Sequence, residues 1–108
     1  MSTIKLYLAS QSDNTDNVKT LARDITPSLG GVTVLPALFG TFVSDHDGSI
    51  NIFEDTYSYL IIAETHCEDV YTAVKPHVAR YLKSESQYAA LLCVNSDDPR
   101  LISQDDIL

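Results

Sequence analysis

A chain of 108 residues with 44% apolar side chains is long enough to bury one core without disulfides or metal, and its patterned apolar content excludes wholesale disorder. Fifteen acidic residues against seven basic ones give a formal charge of −8, which argues against direct nucleic-acid binding or an anionic membrane surface, since both are gripped through cations. No run approaches the ~20 apolar residues that cross a bilayer, and the N-terminus lacks the basic segment, apolar core and cleavage site of a secretory leader, so the expected location is the cytoplasm.

Residues 4–10 open with apolar and polar side chains in alternation and read as a first strand. Behind candidate caps at Asp13, Thr15 and Asp16, the residues Val18, Leu21, Ala22 and Ile25 recur with the i, i+3, i+4, i+7 spacing of a helix packed on one face. Pro27 lacks an N–H and is expected to end that helix, with Gly30 and Gly31 reversing the chain. Residues 32–39, continued by 40–43, read as a second strand, and Pro36 confines it to a sheet edge or a bulge.

Asp45, His46, Asp47 and Gly48 supply hairpin-turn chemistry. The β-prone run after them is expected as one long strand ending near Ala63, with acidic Glu54 and Asp55 at its middle. The spacing Thr65-x-x-Glu68 predicts a capping box. Val70, Tyr71, Val74, Val78, Tyr81 and Leu82 then predict a second helix to about Lys83, kinked or split at Pro76. Residues 87–94 read as the last strand, and residues 95–108 as a turn and C-terminal tail.

The order βαββαβ predicts an α+β, ferredoxin-like single domain over residues 1–108, with a four-stranded antiparallel sheet and two helices on one face. The other face is left uncovered. With Tyr57, Tyr59 and the isoleucines expected there, it is too apolar to stay in water, and a homo-oligomer is the natural expectation.

An opening strand and helix, then Gly31-Val32-Thr33-Val34-Leu35-Pro36, lead to a hairpin with Gly48 and an acidic Glu54 after it. An apolar segment over 59–63 and a second helix running into Gln87-Tyr88-Ala89-Ala90-Leu91-Leu92 complete the pattern. In this pattern residues 4–94 resemble the trimeric ferredoxin-like proteins of the PII and CutA families, and small phage proteins with a similar spacing of glycines, Glu54 and Gln87. The resemblance implies a trimer whose subunit clefts hold small anionic ligands or nucleotides, in a binding role without catalysis. In a phage, such a protein is expected to act in the host cytoplasm by sequestering a host signalling molecule.

No nucleotide-binding glycine loop of the GxGxxG or GxxxxGK[ST] kind is present. His46, His66, His77 and Cys67 lack the close pairing of zinc ligands, and a calcium loop aligned on Gly48 would need a ligand where Val43 stands. No metal, cofactor or catalytic residue is therefore expected, and Cys67 and Cys93 are expected as thiols. The candidate ligand-binding residues are Glu54 and Gln87, polar at the borders of apolar strands, with Tyr57 beside them. The helix cations Lys19, Arg23 and Arg80 join them, since a few such groups converging between subunits could hold a phosphate. A second expectation follows from charge. Clusters at Asp45–Asp47, Glu68–Asp69, Asp97–Asp98 and Asp105–Asp106 fit an acidic inhibitor of a basic host protein, of anti-defence or DNA-mimic type.

Overall fold

Even-numbered residues Ile4, Leu6 and Leu8 are buried while Thr3, Lys5 and Tyr7 are exposed, so the first strand turns one face to a core and one to solvent. The computed structural model describes residues 1–10, 15–37, 41–43, 50–52 and 57–106. Their elements are β1 (Ser2–Ser10), α1 (Asp16–Leu29), β2 (Thr33–Ala37), β3 (Thr41–Val43), β4 (Ile50–Ile52), β5 (Tyr57–Thr65), α2 (Val70–Ser84), β6 (Ala89–Val94) and β7 (Arg100–Ser103), followed by a 3₁₀ turn at Gln104–Asp106.

The main sheet is antiparallel in the order β2-β5-β1-β6-β7. β1 pairs with β5 from Ser2↔Thr65 to Ser10↔Tyr57, and with β6 from Ile4↔Val94 to Tyr7↔Leu91. Both helices pack on the even face of β1. There Val18, Leu21 and Ile25 of α1 and Val74, Val78 and Leu82 of α2 join Ile4, Leu6, Ile61 and Leu92 in one core. This is the ferredoxin-like α+β arrangement, and Pro36 stands on an edge strand as its missing N–H requires.

Several boundaries differ from the sequence reading. The sheet has five strands where four were expected, because Arg100–Ser103, read as tail, pairs with β6 and seals Ile102 into the core. The long β-prone run is divided between two sheets. β4 pairs with β3 in a separate two-stranded ribbon, while β5 alone enters the main sheet. β propensity reports that a segment fits a pleated surface, not which surface. Likewise Thr41–Val43 do not extend β2 but form the other strand of that ribbon. The 44–48 turn and Glu54 lie outside the described residues.

Helix α1 runs past Pro27 to Leu29, because a proline in the last turn removes a single helical bond. Gly30, in the left-handed conformation, donates its N–H to Thr26 O at 2.7 Å and closes the helix. At the start of α2 the cap is Asp69, which accepts from Thr72 N at 3.1 Å. Thr65 instead ends β5, and its Oγ1 accepts from Cys67 N at 3.1 Å. Pro76 does not split α2, which is one element from Val70 to Ser84.

Tyr59 was expected on the uncovered face but points into the core, 9% exposed. Its pairing with Leu8 fixes the parity, since residues opposite each other in antiparallel strands share a face. The uncovered face is built instead from Tyr7, Leu35, Leu60, Ile62, Leu91 and Leu101. It is apolar, as the alternation requires, but through a different set of residues. No helix among the described residues is long and apolar enough to cross a membrane.

Candidate functional site

The apolar stripe of α2 passes through Val74, Val78 and Tyr81, and one further turn along it stands Glu85. The helix ends there in a Schellman arrangement. Ser86 adopts φ 53°, Gln87 N donates to Leu82 O at 2.9 Å and Ser86 N donates to Lys83 O at 3.3 Å. The turn leaves Glu85 at the last helical carbonyls with its side chain folded inward, 7% exposed. A carboxylate at a helix C-terminus opposes the helix dipole, and burial adds a desolvation penalty.

Two donors offset this. Ser10, the last residue of β1 and fully buried, donates from Oγ to Glu85 Oε2 at 2.9 Å. Asn17, in the first turn of α1, donates from Nδ2 to Glu85 Oε1 at 2.9 Å. Beside them Tyr81 donates its hydroxyl proton to Ala9 O at 2.8 Å. Burial pushes the Tyr81 phenol well above its ordinary value of 10.0, and the nearby Glu85 and Tyr59 push in the same direction. Tyr81 is therefore a neutral donor at any physiological pH. The end of β1, the start of α1 and the end of α2 thus meet at one carboxylate.

The residues expected to form the site are only partly gathered here. Gln87 lies two residues beyond Glu85, and its Nε2 turns back on Glu85 O at 3.4 Å. Tyr57 pairs through its backbone with Ser10 at the same end of the sheet. Lys19 and Arg23 are exposed on α1, and exposed Arg80 lies 3.2 Å from His77 Nδ1 within α2. No hydrogen bond or ion pair among the described residues brings these three cations together. Among the described residues, no three or more of His, Cys, Asp and Glu gather as metal ligands would. Cys67 and Cys93 are free thiols.

Ser10, Asn17, Tyr81 and Glu85 escaped the sequence reading, although each carried a signal. Ser10 continues the even-numbered series Ile4, Leu6, Leu8, and Asn17 precedes Leu21 by one turn. Glu85 continues Val74, Val78, Tyr81. Ser10 and Glu85 fall on buried stripes, where a polar side chain must find a partner, while Asn17 is exposed beside them.

At the opposite end of α2 lies a shallow cleft of about 170 Å³. Glu68 and Asp69 meet Asp97 and Asp98 around it, so two acidic clusters distant in sequence share one rim. Arg100 stacks over the Tyr71 ring at 3.8 Å from its centroid, and Lys75 lies 5.6 Å from the same centroid.

Neither a family model nor a curated protein sequence matches the chain. Solved structures do resemble it in fold. A phage SAM lyase in complex with S-methyl-5′-thioadenosine superposes with a TM-score of 0.68 over 94% of this chain and 88% of that one, at 10% identity. The same kind of enzyme in its apo state gives 0.65, at 14% identity over 94% and 88% of the two chains. The periplasmic divalent cation tolerance protein CutA from Archaeoglobus fulgidus gives 0.58, at 15% identity over 91% and 85%. The resemblance to CutA-type proteins thus holds at the level of fold.

Proposed function

We propose that this chain binds a small nucleoside-type ligand at the Ser10–Asn17–Tyr81–Glu85 end of the sheet, and that copies of it assemble through the uncovered sheet face, a trimer being the favoured form. The observation that carries this reading is Glu85: a buried carboxylate at the unfavourable end of a helix, reached by Ser10 on one oxygen and Asn17 on the other. Such a group is costly to place at that end of a helix, and a ligand would account for its position there. A carboxylate suits ribose hydroxyls, an amino group or a cationic centre, and disfavours a phosphate alongside. Support also comes from the fold it shares with a phage lyase that holds S-methyl-5′-thioadenosine. Gln87 and Tyr57 stand at the same end of the sheet and belong to the proposed site. Lys19, Arg23 and Arg80 are then peripheral to it, and Glu54 lies outside the described residues. A phage role in removing a host signalling molecule follows from the same reading.

Calorimetric titration with S-methyl-5′-thioadenosine tests it. Binding by the wild type, weakened at least tenfold by Glu85→Gln and unchanged by Arg23→Gln, is the expected result. No binding of this nucleoside, or equal binding by Glu85→Gln, would sink the proposal. Incubation with S-adenosylmethionine, followed by chromatography for released S-methyl-5′-thioadenosine, separates a binding protein from a lyase. Absence of release is expected of the binding role.

A second reading, an acidic inhibitor of a basic host protein, is favoured by the meeting of Glu68–Asp69 with Asp97–Asp98 on one rim. It predicts a salt-sensitive protein partner lost on Asp97→Asn with Asp98→Asn.

A further inference from the structure

The uncovered face of the sheet differs in charge from the rest of the molecule. β1 contributes Thr3, Lys5 and Tyr7, and β5 contributes Leu60, Ile62 and Glu64 opposite them. β2 adds Thr33 and Leu35, β6 adds Leu91 and Cys93, and β7 adds Leu101. Tyr7, Leu35 and Leu101 remain 42%, 41% and 59% exposed in the single chain. In a chain of net charge −8, the described residues of this face therefore include a single cation, Lys5, and a single anion, Glu64.

The two charged residues are diagonal neighbours, because Lys5 pairs with Ile62 and Thr3 with Glu64. Both are exposed, and neither forms an ion pair with another described residue of its own chain. Covering the apolar centre would strip water from both, and a buried charge without a partner is strongly unfavourable. Whatever covers the face must therefore offer an anion to Lys5 and a cation to Glu64. A strongly basic partner would leave Lys5 facing like charge. A second copy of the chain offers the matching pair on a face whose described residues carry no net charge.

We propose that Lys5 of one copy pairs with Glu64 of the next across the uncovered sheet face, and that this pair, repeated at each interface, fixes the register in which copies of the chain assemble. The inference rests on the assembly reading given above and names the groups that would carry it.

The test is a charge exchange read by native mass spectrometry and light scattering over a concentration series. The wild type is expected to assemble, while Lys5→Glu and Glu64→Lys each weaken assembly at least tenfold. The double exchange Lys5→Glu with Glu64→Lys is expected to return it to within about threefold of the wild type, which a folding defect in either single variant would not allow. Equimolar mixing of the two single variants is expected to give mixed species. Single variants that assemble like the wild type, or a double variant no better than the singles, would overturn the pairing while leaving assembly through this face intact. A wild type that stays monomeric throughout the series would overturn both.

Discussion

Helix α2 has a carboxylate at each end, and the two ends could hardly be more different. Asp69 at the N-terminus is exposed, accepts the Thr72 N–H as a cap and sits at the positive end of the helix dipole. Glu85 at the C-terminus is buried, sits at the negative end and takes its donors from other elements. Asp69 is accounted for by the helix it begins. Glu85 is not accounted for by the helix it ends. Burial and position together, rather than residue type, separate a structural acid from a candidate for ligand chemistry.

The sharpest way to break this comparison is Glu85→Ala. It leaves the fully buried Ser10 hydroxyl and the Asn17 amide without their acceptors, and a loss of about 2 kcal/mol in urea unfolding is expected. Glu85→Gln keeps an acceptor while removing a charge from the wrong end of a helix, so stability should hold while ligand binding falls. Were both variants as stable as the wild type, Glu85 would not be anchored as described.

A smaller effect is expected from Tyr81→Phe, which removes the hydrogen bond to Ala9 O at about 1 kcal/mol. It also carries a pH signature. The folded phenol titrates above its ordinary 10.0, so the unfolded chain releases that proton first. The Tyr81 contribution is therefore complete below pH 10 and drains away as pH rises beyond it. Thermal melts between pH 9 and 11.5 should show a steeper alkaline decline in the wild type than in Tyr81→Phe. Parallel curves would place the phenol in a more open setting.

The smallest effect belongs to Asp69. Hydrogen bonds from Thr72 hold its carboxyl below the ordinary 3.8, with Arg100 and Lys75 assisting. Its contribution is present above that value and lost as pH falls through the lowered one. Asp69→Ala should lower the melting midpoint slightly at pH 7, and the difference from the wild type should vanish in acid. A difference that persists at pH 2 would mean that something other than capping is at stake.

Much of this molecule was legible before its structure. The spacing of Val18, Leu21 and Ile25 gave α1, alternation from Ile4 to Leu8 gave β1, and Pro36 gave an edge strand. These are local signals, and the physics behind them is local. What failed depended on contacts between distant segments. Nothing within residues 42–64 says that its first part pairs into a ribbon and its second into the main sheet. Tyr59 faces the core because of its register with Leu8, fifty-one residues earlier in the chain. The candidate site is of the same kind. In a chain with fifteen acidic residues Glu85 looks like one more solvated charge, and only its place on a buried stripe marks it out.

The sheet's edges carry one more consequence. On one side stands β2, with Pro36 in a five-residue strand, and on the other the four-residue β7. A proline cannot donate to an incoming strand, and four residues offer a short template. Growth by adding strands edge to edge is discouraged at both margins, while the sheet's broad face stays open. Such a molecule resists fibre growth by strand addition at either margin of the described sheet.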